Sequence, residues 1–385
     1  MSGKWLTVTV GDIAQVKGGK RLPAGYFVQK KPTPFPYIRV SDMVNGGIRE
    51  SGIKYVPEAA AAAIRNYRIG KDDIFISVAG TLGLVGRIPG HLDGANLTEN
   101  ADRLTQIKCD IDFLMYYLLS EPIQNEIDAI RTVGAQPKLA LGRIKSFEVR
   151  LPSATDEQRR IASALREADG LISALERLIE KKREIKQGLM QELLTGRTRL
   201  PGFSGRWRSV TLGDVVRIHR GSMLTRAQAG KGRVPVIAGG KTPAGNTDRP
   251  NRTGRTITIS ASGASAGYVA IYDGPIFASD CSTISDSKTF DLDFIYYSLL
   301  LRQDAIYRAQ TGGAQPHIHA KDVYPMGVQM PTSIDEQSAI SRVLRDVDDE
   351  IAALERRLES ARAIRQGMMQ ELLTGRTRLV DEVAG

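Results

Sequence analysis

Cysteine is nearly missing from this chain. Two stand in 385 residues, Cys109 and Cys281, with no CxxC pair and no Cys/His cluster. That excludes a disulfide framework and a thiolate zinc site. No apolar run approaches the eighteen or so residues a membrane span requires, and the opening MSGKWLTVTV has no charged-then-apolar signal region, so a cytoplasmic protein is expected. No Pro-Pro pair occurs, which removes the Asn/Asp-Pro-Pro-aromatic loop of an amino-methyltransferase. A phosphate loop is missing as well. Gly240-Lys241-Thr242 supplies only the end of G-x-x-x-x-G-K-[ST], and Pro235 stands where the first glycine belongs. Glu184-Ile185-Lys186 spells half a nuclease site but falls in a helical stretch, and His317 and His319 have no third ligand nearby. Acid is the minority charge, 43 Asp plus Glu against 53 Lys plus Arg, and the resulting +10 fits a polyanionic partner. With 42% hydrophobic and 25% charged residues the chain reads as folded and soluble, and its length predicts at least two domains.

What the chain does have is a repeat. MQELLTGRTRL stands at 190–200 and again at 369–379, eleven identical residues at an offset of 179. The same offset aligns Asp156-Glu157-Gln158 with Asp335-Glu336-Gln337, Pro152 with Pro331, and Gly134-Ala135-Gln136-Pro137 with Gly313-Ala314-Gln315-Pro316. Upstream, the only two tryptophans open matching segments, WLTVTVGDIAQVKGG from Trp5 and WRSVTLGDVVRIHRG from Trp207, at an offset of 202, so the first copy holds 23 more interior residues. Between these anchors the match is loose, as in Ile74-Phe75-Ile76-Ser77 against Ile257-Thr258-Ile259-Ser260. A shared frame with divergent interiors suggests one device that recognises two different things.

Each copy divides in two. Residues 1–154 and 200–332 mix short β-rich runs, Gly/Pro/Asn loops and brief helical stretches, the pattern of α+β domains. Residues 155–199 and 333–385 are different in kind. Apolar or small residues recur at Ile161, Leu165, Ala168, Ile172, Leu175 and Ile179, then Leu189 and Leu193, and the second copy repeats them from Ile340 to Leu372. Steps of four and three predict a coiled-coil seam. Thr155 with Gln158 predicts a capping box, and Thr195-Gly196 a left-handed stop. Each helix should span about 60 Å at 1.5 Å per residue. The short connection at Gly202-Phe203-Ser204-Gly205 favours an intrachain antiparallel pair. The expected fold class is therefore α+β, two mixed recognition domains separated by a long antiparallel two-helix coiled coil, with a pseudo-two-fold internal repeat. Such a spacer matches roughly 17 base pairs of B-DNA at about 3.4 Å each, so a bipartite, non-palindromic target is expected.

The order of variable domain, DEQ-headed helix and LMQELLTGRTRL tail, given twice, together with the PYIRVSDM, ISVAGTLG and GAQP blocks, resembles the specificity subunit of type I restriction-modification systems over essentially the whole chain. The resemblance implies a non-catalytic subunit with two target-recognition domains. It implies double-stranded DNA and two DNA-adenine methyltransferase subunits as partners, and translocase-nuclease subunits in a full restriction complex. It places no cofactor in this chain. S-adenosylmethionine belongs to the methyltransferase, ATP and Mg to the restriction partner. A specificity subunit of a modification-only system is the alternative. A stand-alone enzyme is disfavoured by the missing motifs, and a purely structural coiled coil by the share of the chain outside the helices.

For DNA contacts, the loops Lys17-Gly18-Gly19-Lys20-Arg21 and Arg217-Ile218-His219-Arg220-Gly221 combine cations with glycines that permit close backbone approach. A solvated basic turn is the other reading. Gln136 and Lys138, and Gln315 and His317, lie in the repeated Gly-Ala-Gln-Pro frame, where a structural turn is the competing reading. Arg39, Arg87 and Lys241 are further candidates, whereas Tyr116, Tyr117, Tyr296 and Tyr297 read as core. The identical tails are read as two equivalent docking sites for two copies of one partner, through Met190, Leu193 and Leu194 and through Met369, Leu372 and Leu373.

Overall fold

Repeated residues close repeated contacts. The computed structural model describes residues 4–131, 137–224, 230 and 232–379. They fall into two units, Met1–Ala174 with Leu358–Gly385, and Leu175–Arg357. In the first unit strand Trp5–Thr9 pairs antiparallel with Glu148–Pro152, and in the second Trp207–Thr211 pairs with Gly327–Pro331. Each opening strand enters a one-turn helix through the same staple. The Thr9 amide and hydroxyl donate to Asp12 Oδ2 at 2.8 and 2.6 Å, and those of Thr211 donate to Asp214 Oδ2 at 2.8 and 2.7 Å.

Two larger sheets follow in each unit. Gln15–Gly18, Ala101–Thr105, Ile74–Ser77 and Val85–Gly86 form an antiparallel sheet in that spatial order, and the second unit repeats it with His219–Arg220, Cys281–Ser285, Thr256–Ser260 and Val269–Tyr272. Alternating and continuous apolar runs put Ile74, Ile76, Ile257 and Ile259 in the cores. The other sheet holds a parallel pair, Pro36–Ile38 with Ala95–Leu97 in one unit and Val234–Ile237 with Phe277–Ala278 in the other. A short buried helix, Ile111–Leu118 or Leu292–Leu300, backs the sheets. Asp110 caps the first by accepting from Phe113 N at 2.9 Å, and Asp291 caps the second from Phe294 N at 2.8 Å.

The long helices run Thr155–Leu193 and Ile334–Leu372, 39 residues each. Both end as the glycines suggest, with Gly196 at φ +70° and Gly375 at φ +72°. The start differs from the expected Thr155–Gln158 capping box. Gln158 turns inward, donating from Nε2 to Pro152 O at 2.7 Å and accepting from the Asp110 amide at 2.8 Å. Gln337 repeats this with Pro331 O and the Asp291 amide, both at 2.9 Å. The glutamine of each DEQ thus ties strand, short helix and long helix together, which satisfies three buried polar groups at once.

Helix pairing is antiparallel within each unit. In the first, Asp169 meets Arg365 at 2.6 Å and Glu157 meets Arg378 at 2.5 Å, so one segment ascends in number as the other descends. In the second, Lys186 meets Asp348 and Arg199 meets Glu336, both at 2.6 Å. Ile161 and Leu165 pack in one core with Met369, Leu372 and Leu373, while Ile340 and Leu344 pack in the other with Met190, Leu193 and Leu194. Ile172 is only half-buried, and Leu175 and Ile179 are buried on the seam.

Candidate nucleic-acid interface

The six tail residues expected to dock a partner are corrected by their burial. Met190, Leu193, Leu194, Met369, Leu372 and Leu373 are at most 9% exposed and belong to the two cores. Packing also accounts for the tails' identity. A methyl group on Gly375 would come within 2.8 Å of the Trp5 indole, and one on Gly196 within 3.0 Å of Trp207. Arg378 then clamps the buried Glu157 carboxylate from Nε and Nη2, and Arg199 clamps the buried Glu336 in the same way. Each tail is a plug of glycine, arginine and three apolar side chains. Its socket is a tryptophan and a DEQ glutamate, present in both units.

The basic loops stand where their glycines need them, though for a reason internal to the fold. A Cβ on Gly19 would lie 2.0 Å from Thr98 O, and one on Gly221 would lie 2.1 Å from Ser279 O. Close backbone approach is therefore made to each domain's own chain. Around these glycines Lys17, Lys20, Arg21, Arg217 and Arg220 are exposed. Arg21 is 79% exposed while paired with Glu99 at 2.7 Å, and the Lys20 ammonium lies 5.6 Å from the Tyr67 ring centroid.

Arg39 and Arg87 are both paired within the first unit and remain about a third exposed. Arg39 grips Asp42 from Nε and Nη2 at 2.9 and 2.6 Å and donates to Gly52 O. Arg87 donates to Asp112 Oδ1 at 2.6 Å and to Lys71 O at 3.0 Å. The Asp112 carboxylate also accepts from Arg166 of the long helix at 3.0 Å, giving an Arg–Asp–Arg bridge from sheet to short helix to long helix. The second unit builds the same bridge with Arg255, Asp293 and Arg345. Beside each bridge a tyrosine is anchored. Tyr116 donates to Asp169 at 2.8 Å and Tyr297 to Asp348 at 2.8 Å; burial first, then donation to a carboxylate, pushes both hydroxyls up from the ordinary tyrosine value.

The Gly-Ala-Gln-Pro frame is only partly visible, since Gln136 lies outside the described residues. Lys138 is exposed, and its charge opposes the burial that raises the Asp102 carboxyl. Just beyond, Leu139 N donates to Val78 O, and in the second unit Ile318 N donates to Ala261 O, both at 3.0 Å. The segment is thereby pinned beside the central sheet in both units. Gln315 is exposed, while His317 closes a small loop by exchanging backbone bonds with Thr311 at 2.8 and 2.9 Å. Its ring stacks parallel to His319 with centroids 6.3 Å apart. Lys241 is exposed beside Tyr268, its ammonium 5.7 Å from the ring centroid. Among the described residues no group of three or more His, Cys, Asp or Glu could hold a metal, and no helix is long and apolar enough to cross a membrane.

Sequence reasoning passed over Tyr26, Phe27, Lys30 and Lys31. Residues 17–31 contain five cations and no acidic residue, the signal that would have found them.

Comparison with known proteins gives a concordant result. The family model described as "Type I restriction modification DNA specificity domain" matches residues 2–187 and again 205–361. A putative type I specificity subunit of Mycoplasma genitalium is 21% identical over 350 residues, covering 88% of each chain. A putative type I restriction enzyme specificity subunit of Methanocaldococcus jannaschii is 24% identical over 381 residues, covering 90% of this chain and 88% of that one. In fold, the chain is similar to the crystal structure of a type I restriction-modification S subunit from M. genitalium, with TM-score 0.68, 20% identity and 96% of both chains covered. It is similar also to a chain from a structural study of type I system assembly and conformational transition, with TM-score 0.57, 18% identity, and 97% and 98% covered.

Proposed function

Since the chain belongs to the type I restriction-modification DNA specificity family, and serves DNA recognition there, we propose that it is the non-catalytic reader of a bipartite, asymmetric DNA target. Each unit reads one half-site. The chain presents that target to methyltransferase subunits for adenine N6 methylation, and to restriction subunits where a nuclease partner exists. S-adenosylmethionine, ATP and Mg enter with those partners.

One observation carries this reading. The two units share the strand order of the central sheet, the staple, the bridge and the tail socket, yet the second sheet has four strands in one and three in the other, and the loops outside that frame differ in length and charge. A shared frame with unlike exposed loops fits two readers of unlike sequence, held in one chain. The exposed cations Lys17, Lys20, Arg21, Lys138, Arg217, Arg220 and Lys241 supply the phosphate-neutralising charge such a reader needs, with Gln315 and His317 as polar groups for base edges. The test is to map modified adenines in a genome expressing this chain with its methyltransferase. A two-part motif with unlike halves is expected, and a continuous or palindromic motif would refute the two-reader assignment. A system that methylates this motif without any cleavage of unmodified DNA would favour the modification-only reading.

A further inference from the structure

Among the described residues the two most exposed large apolar side chains are Met223, at 93%, and Phe27, at 81%. Phe27 lies eight residues after Gly19 and Met223 two after Gly221, the two glycines that make the same close backbone approach. In the first unit the setting is fully described. Lys17, Lys20, Arg21, Lys30 and Lys31 are all exposed, and Tyr26 and Phe27 stand in their midst.

The loop is built, not slack. At one foot the Gly19 and Lys20 amides donate to Ala101 O and Leu97 O at 2.9 and 2.8 Å, and at the other Gln29 and Tyr55 exchange both backbone bonds at 2.9 Å. At the tip Tyr26 N donates to Pro23 O at 3.2 Å across Gly25, whose φ of +87° makes this a type II turn. An open cleft of about 550 Å³ lies alongside, lined by Tyr26, Phe27, Tyr37, Ser41, Glu99 and Asn100 among others. An exposed phenyl ring on a cation-rich loop, lining one cleft with Arg21, Arg39 and hydrogen-bonding side chains, suits an occupant that is anionic outside and aromatic inside. Duplex DNA has that chemistry.

Resting on the DNA-reading role above, we propose that Phe27 and Met223 are apolar probes, each entering the groove of its own half-site and wedging against the base stack while the flanking cations hold the phosphates. Burial that the loop forgoes in the free protein is recovered on DNA.

The test uses the full chain with its methyltransferase on duplexes carrying the mapped target. Phe27→Ala and Met223→Ala are each expected to weaken specific binding roughly ten-fold, with the melting temperature unchanged because both side chains are exposed. The slope of log K against log salt stays as in the parent, whereas Lys30→Ala lowers it by about one. 2-Aminopurine placed in either half-site brightens on binding, and Phe27→Ala abolishes that signal at one half while Met223→Ala abolishes it at the other. Unchanged affinity and fluorescence in both variants would overturn the proposal. So would loss of methyltransferase co-purification with DNA binding intact, which would make these residues protein contacts. Absence of any two-part modified target overturns the DNA-reading role itself and the probes with it.

Discussion

Gly375 sits under the Trp5 indole with no room for a methyl group and with a φ of +72° that L side chains rarely adopt. Gly375→Ala should therefore destabilise the protein by about 1–3 kcal/mol, read as a fall in melting temperature. Gly188, inside the long helix with nothing within 4 Å of its missing Cβ, should behave oppositely. Gly188→Ala removes a helix penalty of up to about 1 kcal/mol and should leave the melting temperature unchanged or raised. The thiols give a residue-scale pH effect. Burial pushes Cys281 up to about 11 from its ordinary 9.0, and burial followed by the charge of Asp110 pushes Cys109 up to about 12. The unfolded chain therefore loses these protons before the folded one does, so this stabilisation is complete below pH 9 and is lost as pH rises through 11. Thiol alkylation at pH 8 should be slow in native protein and fast in denaturant; fast native labelling would contradict the burial. Residue roles were the least legible part of the sequence. Arg39 and Arg87 look like any exposed cation in one dimension, because a sequence gives a charge and not its partner. Gln158 looks like a capping residue for the same reason, until Pro152 and Asp110 are brought against it.

The bridges Arg87–Asp112–Arg166 and Arg255–Asp293–Arg345 show what an element requires independently of which residue supplies it. Arg87 follows strand Val85–Gly86, whereas Arg255 precedes strand Thr256–Ser260, so the sheet arginine arrives from opposite strands of the equivalent hairpin. Both nonetheless reach the aspartate of the short helix. Asp112→Ala leaves two guanidiniums facing one another, so it should lower stability by about 1 kcal/mol, a modest figure because Arg166 is 61% exposed. Arg166→Ala, which leaves the Arg87–Asp112 pair intact, should cost less; equal losses would mean the bridge does not act as a unit. The long helices were legible from period and glycine stops alone, since a 3-4 apolar spacing has few alternatives over 39 residues. The short strands were legible mainly as β-rich runs. Their sheet orders depend on pairings far apart in sequence, which local pattern does not encode.

At the scale of the molecule the repeat was the most legible feature. Linear reading gives four consecutive segments, and contacts group them so that the first unit gathers Met1–Ala174 with Leu358–Gly385 while the second is continuous from Leu175 to Arg357. A chain stopped after Arg357 should keep slow amide exchange across the second unit and lose it in the first, which lacks Met369, Leu372, Leu373 and the Arg378 clamp. Uniform protection in both units would contradict that division. The tail socket also sets an order of events during synthesis. Every residue of the second unit has been made once Arg357 is added, whereas the N-terminal domain, made first, waits for the last turn of the second helix and the arginine beyond it. The first unit, begun first, is thus the last to have all of its residues, and until they are made the Trp5 socket and the Ile161–Leu165 face lack their covering tail.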